Sequence, residues 1–334
     1  MDVLSLTVQK ELLEYENILE NEKLRSSLGY YKAKNKRSNT LKPTNDTIEP
    51  FSYKKFSGND KLFKYYTGFS NADFHGLFTF LVPDPTNPSF TVTKNMHLKI
   101  GIMDQLFFTL CKLRNNFDFM DLSYRFKISI QDCSSLFGDW INFMYLRFGE
   151  INILPPCDVI IDNMPENYRK DFPDTIAIID CTEVKIEKPS SLPAQSQSYS
   201  DYKATNTLKA LVAVDPRGSL LFSSCLFSGG ISDKEIFEES GFRELLQQLI
   251  LHGHLREGDG LMADKGFNVK NEVEDVCKLW LNIPPFAQAG TQMSQADVML
   301  TKKIAAHRVH VERTIGSIKK FKIVAHRIPL SLFG

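Results

Sequence analysis

The hydrophobic pattern of the chain changes at Pro155 and Pro156, and this change limits the folds that the chain can adopt. Before the two prolines, apolar residues recur at helical spacing, whereas after them short β-branched runs alternate with helical patterns. Consecutive prolines end a helix and mark a boundary between structural units. The sequence therefore predicts an all-α domain followed by an α/β domain over residues 151–334.

The helical part has the outline of a helix-turn-helix. Helical patterns cover residues 97–115, 118–126 and 130–148, and only Lys127 to Ser129 separates the last two. A tight joint between a short helix and a longer one is typical of that motif. A plain helical bundle is the alternative, because the third segment is rich in core-forming residues, whereas recognition helices usually display more basic and amide side chains.

We assign residues 61–150 to this helical domain and residues 1–60 to a leading segment. The leading segment is predicted to contain a charged helix over residues 3–29, followed by a flexible basic linker. No apolar run approaches the roughly 20 residues that span a bilayer, so we expect no membrane partner. The start of the chain does not have the pattern of a signal peptide, which favours an intracellular protein.

After the prolines, strands and helices follow one another in an order typical of a mixed α/β domain. The hydrophobic runs predict a first strand, a hairpin around a Pro-Arg-Gly turn, a capped helix, two short strands and a long closing helix. These elements are expected, in that order, at residues 176–180, 208–227, 233–251, 260–264, 279–283 and 301–321.

Three acidic residues stand at positions where this order would gather them. Asp180 ends the first apolar run, Asp264 precedes Lys265 and a glycine after a later strand, and Glu312 lies on the closing helix. Each acid taken alone is more often a turn or cap residue. Together they offer the oxygen ligands that Mg²⁺ or Mn²⁺ prefers, which points to phosphodiester chemistry.

The closing helix also concentrates positive charge, although the chain has 40 basic and 40 acidic residues and is neutral as a whole. Seven basic residues and a single acid, Glu312, lie between Thr301 and Lys322. Arg308, Glu312 and Lys319 are offset by four and seven residues, which places them within about 40° of one helical stripe. A carboxylate between two cations suits metal binding beside a substrate phosphate.

From about Phe172 to Leu332 the chain resembles the DDE endonuclease domain of PIF/Harbinger-like transposases, in the branch linked to zinc-finger-bearing transposases of animals. The resemblance rests on six short stretches in the right order. They begin at Ile179, Gln195, Gly230, Ala263, Asn282 and His310. The stretch from Asp121 to Ile130 resembles the helix-turn-helix that precedes that domain.

The resemblance implies a ribonuclease-H-like mixed sheet with flanking helices, and a metal-dependent DNA endonuclease or transposase. Asp180, Asp264 and Glu312 would be the catalytic acids, holding two Mg²⁺ or Mn²⁺ ions. Double-stranded DNA would be the substrate, and the protein would act in the nucleus. The basic side chains expected to contact DNA are Lys185, Lys188, Lys203, Lys265, Arg308, Arg313 and Lys319.

The chain departs from related transposases in ways that leave a second function open. Ala305 stands where related bacterial insertion-sequence transposases have a tyrosine three positions before the arginine. The first 110 residues contain no cysteine, so the zinc-binding module of the branch is not expected. A separate DNA-binding partner protein and a homo-oligomer are therefore expected. The alternative is a domesticated or truncated DNA-binding or scaffold protein without catalytic activity.

Overall fold

A computed structural model describes residues 51–84, 100–151, 153–286 and 292–332. The predicted helix over residues 3–29 and most of the flexible linker predicted over residues 30–60 lie outside these ranges. The described end of that linker is not flexible chain, because Tyr53–Ser57 forms a helix with Phe56 buried. No helix within the described ranges is long and apolar enough to span a membrane.

The helical region consists of six helices in the described residues, of which three end at a residue in the left-handed conformation, Gly68, Asn116 or Lys127. Ser52, Asn59, Ser70 and Ser129 cap four helix starts with their side chains. The helices are α1 Tyr53–Ser57, α2 Asp60–Thr67, α3 Asn71–Leu81, α4 Ile102–Asn115, α5 Phe119–Phe126 and α6 Ile130–Gly149.

The predicted joint of the helix-turn-helix is confirmed between α5 and α6. Lys127 takes the left-handed conformation at φ 57°, and the backbone N–H of Ile128 donates to the Ser123 carbonyl at 3.2 Å. Ser129 then caps α6 by accepting from the N–H of Asp132 at 3.0 Å. Trp140 on α6 is fully buried and donates to Gln105 of α4 at 3.1 Å, so the long helix is fixed against α4.

The α/β region is built on one mixed sheet of seven strands within the described residues. The strands are β1 Thr175–Lys185, β2 Tyr199–Ser200, β3 Thr205–Val214, β4 Leu220–Ser223, β5 Phe227–Ser228, β6 Gly260–Met262 and β7 Trp280–Asn282. The order is β2-β3-β1-β6-β7, and β4 and β5 also pair with β3. The strand β1 is antiparallel to β3 and parallel to β6, and β6 is parallel to β7.

The first strand is longer than the sequence predicts. We expected it to end at Asp180, but it continues to Lys185 because its second half pairs with β3, from Cys181 opposite Leu211 to Lys185 opposite Thr207. Asp180 therefore lies in the middle of β1. The predicted hairpin is confirmed as β3 and β4, with Asp215 fully buried and accepting hydrogen bonds from the backbone of the turn.

Helices cover this sheet. They are α7 Cys157–Asp162, α8 Glu166–Asp171, α9 Leu192–Ser198, α10 Asp233–Glu239, α11 Phe242–Leu251, α12 Gln295–Ile318 and α13 Lys322–Ala325. The predicted helix over residues 233–251 is two helices, because Gly241 adopts φ 78° between α10 and α11. Helix α12 packs against β1 and β3 through Ile304, Val311 and Ile315, in a core that includes Ile178 and Val212.

The end of α12 connects the sheet to the helical region. Arg114 of α4 donates to the Lys320 carbonyl at 2.7 Å, and its guanidinium lies 5.6 Å from the Phe321 ring centroid. Ile323 of α13 belongs to the aromatic core of the helical region. The helix that carries Glu312 is therefore anchored at its C-terminal end by residues of both regions.

Candidate active site

Two of the predicted acids meet where the short parallel pairing of β1 with β6 ends. The pairing stops with Ile178 opposite Met262, and Asp180 and Asp264 each follow two residues later. The carboxyl ends of neighbouring parallel strands open onto a crevice that helices do not fill. The topology therefore explains why two acids that are 84 residues apart come together.

A buried arginine of α12 bridges these two acids. Arg308 Nη2 lies 3.6 Å from Asp180 Oδ2, and Arg308 Nη1 lies 3.1 Å from Asp264 Oδ1. Arg308 is 9% exposed, and among the described residues its buried Nε has no hydrogen-bond partner. A planar guanidinium presents donors in fixed directions, so Arg308 sets the relative positions of the two carboxylates.

The charge on Asp180 is disfavoured by its surroundings. The pKa of Asp180 is raised to about 6, mainly by burial and in smaller part by the nearby charges of Asp264 and Asp233. The Arg308 charge and the Cys181 N–H act in the opposite direction and lower this pKa. The Cys181 N–H donates to Asp180 Oδ1 at 2.9 Å. Asp180 therefore sits where a further positive charge would favour its ionised form.

The turn that carries Asp264 exposes this carboxylate to solvent. Asp264 Oδ1 accepts from the Lys265 N–H at 2.7 Å, and its carbonyl accepts from the Phe267 N–H at 3.0 Å. The side chain is 52% exposed. Asp264 is thus held by its own turn and by Arg308, while remaining open to a ligand from solution.

Sequence reasoning missed a third acid next to this pair. Asp233 was expected only as a first-turn residue of a helix, but an added Cβ at Gly266 would lie 3.0 Å from Asp233 Oδ2. Lys209 Nζ lies 2.9 Å from Asp233 Oδ1, although the approach is not aligned as a hydrogen bond. The available signal was that Asp233 follows the Ser232 cap inside one of the six recognised stretches.

Glu312 lies on α12 one turn after Arg308, with an exposed side chain. Among the described residues, no group of three or more His, Cys, Asp or Glu side chains is close enough to hold a metal ion. Asp180 and Asp264 nevertheless fit a hard cation in their chemistry, because they supply carboxylate oxygens and converge on one positive group. The structure thus brings two of the three predicted ligands together and places the third on the adjoining helix turn.

The seven basic residues expected to contact DNA differ in exposure. Arg308 is buried against the acids, and Lys319 is half-buried, with a pKa lowered first by burial and then by the charge of Lys203, and raised by Glu183 and Asp180. The other five are exposed, with Lys203 Nζ 4.1 Å from the Tyr202 ring centroid and Lys265 Nζ 5.1 Å from that of Phe286. The exposed members are Lys185, Lys188, Lys203, Lys265 and Arg313.

With this geometry established, comparison with known protein families accounts for both regions. Residues 179–333 match the DDE superfamily endonuclease. Residues 98–150 match the helix-turn-helix of DDE superfamily endonuclease. The α/β region is therefore similar to a DDE superfamily endonuclease domain, and α4 to α6 are similar to the helix-turn-helix of that superfamily.

Part of the chain is also similar to a curated protein at low identity. The chain is similar to the protein named "Putative nuclease HARBI1" of Xenopus laevis, with 26% identity over 112 residues. The matched stretch covers 34% of this chain and 28% of the relative.

Proposed function

We propose that the protein is a divalent-metal-dependent endonuclease or transposase-like enzyme that acts on double-stranded DNA. The observation that carries the proposal is the meeting of Asp180 and Asp264 on Arg308, inside a segment that matches the DDE superfamily endonuclease. We further propose a ribonuclease-H-like fold and the PIF/Harbinger-like branch. The mixed sheet, with acids at the edge where β1 and β6 part, supports both proposals.

In this proposal Asp180, Asp264 and Glu312 would hold Mg²⁺ or Mn²⁺. The chemistry that two such ions supply is activation of a water or a 3′-hydroxyl and stabilisation of the leaving oxygen. Arg308 orients Asp180 and Asp264 through its bridge and keeps their negative charges close together. Glu312 lies four residues further along α12, on the same side of the helix.

DNA would be held by residues outside the acids. The helix-turn-helix would bind one stretch of duplex, and the predicted lysines around the acids would contact phosphates, because phosphate contacts fix the position of a protein on DNA. Arg308, bridged to two carboxylates, has fewer donors left for a phosphate than the exposed Arg313. We also propose action in the nucleus, a homo-oligomeric state and a separate DNA-binding partner protein.

Plasmid nicking in Mg²⁺ or Mn²⁺ tests the catalytic part of the proposal. We expect the wild-type chain to nick supercoiled DNA, and Asp264→Ala and Glu312→Gln to reduce the rate by at least about 100-fold, because the acids act on charge that develops in the transition state. Glu257→Gln is the control: it removes another exposed glutamate, which lies outside α12, and should leave the nicking rate unchanged.

The outcomes separate the proposed enzyme from a non-catalytic relative. If Glu312→Gln nicks DNA as fast as wild type while Asp264→Ala does not, Glu312 leaves the site. If the wild-type chain binds duplex DNA but nicks none in either metal, the protein is a DNA-binding or scaffold protein on an endonuclease fold.

A further inference from the structure

A polar cleft of about 810 Å³ opens at the far end of β1, away from the acids. Its lining includes Lys188, Gln195, Tyr199, Asp201, Asn206 and Arg327. These residues come from the chain after β1, from α9, from β2 and β3, and from the segment after α13. The cleft is therefore a product of tertiary structure, and no local sequence motif encodes it.

The floor of the cleft is held by hydrogen bonds that the chain makes with itself. Asn206 Nδ2 donates to the Gln195 carbonyl at 2.8 Å and to Ser198 Oγ at 2.9 Å. The Gly230 N–H donates to the Gln197 carbonyl at 3.0 Å, and an added Cβ at Gly230 would lie 2.8 Å from that oxygen. The cleft is thus formed before any ligand arrives, which lowers the entropy cost of binding.

One lining residue adopts an unusual backbone conformation. Ala204 has φ 49°, in the left-handed region that residues other than Gly, Asn and Asp rarely occupy. Such residues concentrate at ligand-binding sites, where the surrounding structure holds them. The surrounding structure therefore holds the backbone of this lining residue in place.

The two cations of the cleft come from different segments. The segment after α13 runs beside the end of β1, with the Ile328 N–H donating to the Lys185 carbonyl at 2.8 Å and the Glu187 N–H donating to the Ile328 carbonyl at 3.0 Å. This pairing brings Arg327 to the cleft that Lys188 also lines. Both side chains are exposed, and the charged lining consists of these two cations and one acid, Asp201.

The cleft lies at a distance from the acids that a single duplex can span. Asn206 lies beside Ile186, which follows Asp180 by six residues of extended chain, a length of roughly 20 Å. Phosphates of one DNA strand recur about every 3.4 Å along the helix axis, so this length corresponds to about six base pairs. The charges of Lys203, Glu183 and Asp180 all act on the half-buried Lys319.

We propose that this cleft is a second DNA-backbone site, in which Lys188 and Arg327 hold phosphates about six base pairs from the bond at Asp180 and Asp264. The inference rests on the proposed DNA-directed function and adds to it a register for the flanking duplex. Arg327 suits the role because its guanidinium can bind a phosphate through two parallel hydrogen bonds.

The test is duplex binding by the full chain, measured by fluorescence anisotropy with a 30-base-pair DNA in EDTA over a series of salt concentrations. Each phosphate contact contributes about 0.9 to the slope of log K against log salt. We therefore expect Lys188→Ala with Arg327→Ala to weaken binding at low salt and to make the slope shallower by about 2. The control pair, Lys170→Ala with Lys270→Ala, removes two exposed lysines outside the cleft and should keep the wild-type slope.

The outcomes distinguish failure of this inference from failure of the proposed function. A Lys188/Arg327 double variant with the wild-type slope overturns the inference and leaves the endonuclease proposal standing. The inference is also overturned if the double variant binds an RNA duplex more weakly than wild type while its DNA binding is unchanged, because the cleft would then bind a different polymer. If duplex binding depends on Lys188 and Arg327 but the wild-type chain nicks no DNA, the backbone site is supported. Only the catalytic proposal is then overturned. A wild-type chain that binds no duplex overturns both.

Discussion

At the residue scale, Asp180 shows that a side chain placed to favour a cation can lower the stability of the folded protein. Its carboxylate is removed from water beside Asp264 and Asp233, and Arg308 offsets only part of the unfavourable charge, since the pKa of Asp180 remains raised to about 6. A folded state that binds a proton more tightly than the unfolded chain loses stability as the pH rises through that range. Asp180 therefore reduces the free energy of unfolding at neutral pH.

Asp180→Asn should stabilise the protein at pH 7. Below the ordinary aspartate pKa of 3.8 the side chain is protonated in both states, and above about 6 the folded state bears the full penalty of its charge. Each pKa unit corresponds to about 1.4 kcal/mol, so we expect the asparagine variant to gain about 1 to 3 kcal/mol at pH 7 and almost nothing near pH 4. Urea unfolding at both pH values measures the gain. Asp275→Asn, at an exposed position, is the control, and an equal gain at both pH values would contradict the assignment.

Arg308→Gln should destabilise the protein by about 1 to 3 kcal/mol. Breaking a fully buried ion pair costs about 3 to 5 kcal/mol. We expect the smaller loss for Arg308→Gln because Asp264 is 52% exposed. Arg313→Gln on the same helix removes an exposed arginine and should change stability by less than about 0.5 kcal/mol.

The partner variant checks the origin of that loss. If the cost of Arg308→Gln comes from leaving Asp180 unpaired, Asp180→Asn should stabilise the Arg308→Gln variant more than it stabilises the wild type. Effects that simply add would show that Arg308 does not act through Asp180.

How much of the site the sequence predicts depends on the kind of signal. Asp180 and Asp264 could be paired from sequence, because each follows a short apolar run and the resemblance covers both. The bridge by Arg308 could not be predicted, since the helical stripe of Arg308, Glu312 and Lys319 does not show which of its members turns toward the sheet. Asp233 was missed because a first-turn acid after a serine cap already has a local explanation.

At the element scale, local patterns predicted the elements better than their ends. β1 was expected to stop at Asp180 because the apolar run stops there, yet Thr182 and Val184 remain buried and alternate with more exposed residues as far as Lys185. The helix over residues 233–251 was expected to be continuous, and Gly241 divides it. Pairing with β3 decides the first case, and one backbone conformation decides the second.

Gly218→Ala should destabilise the protein by about 1 to 3 kcal/mol, because it affects the turn that positions α12. Gly218 has φ 92°, and an added Cβ would lie 3.3 Å from Thr314 Oγ1, which donates to the Gly218 carbonyl at 2.7 Å. Gly138→Ala, inside α6 with no heavy atom within 4 Å of the added Cβ, should be neutral or stabilising by up to about 1 kcal/mol. Thermal unfolding of both variants measures the difference, and equal effects would show that the turn conformation contributes nothing special.

At the scale of the described molecule, the division into a helical domain and an α/β domain cannot be drawn as a single cut in the sequence. The predicted boundary near residue 150 lies between α6 and α7, but Phe321 and Ile323 lie beyond α12 and pack against the helical region. The sequence gives no sign of this because a short apolar run near the end of a chain fits equally well on either core. Only the positions of α4 and α12 decide which core it joins.

This shared core predicts that both regions unfold together. Cys111 in the helical core is 0% exposed and Cys277 beside the sheet is 1% exposed, and burial raises the pKa of both thiols, so each reacts only after its surroundings open. Pulse labelling with iodoacetamide in a urea series should show both thiols becoming reactive at the same urea concentration.

Ile323→Ala should lower both midpoints together by an amount equivalent to about 2 to 4 kcal/mol, as expected for a buried isoleucine. The control Ile318→Ala, at a position 36% exposed on α12, should move neither midpoint by much. Early labelling of Cys111 while Cys277 stays protected would show instead that the helix-turn-helix region opens independently.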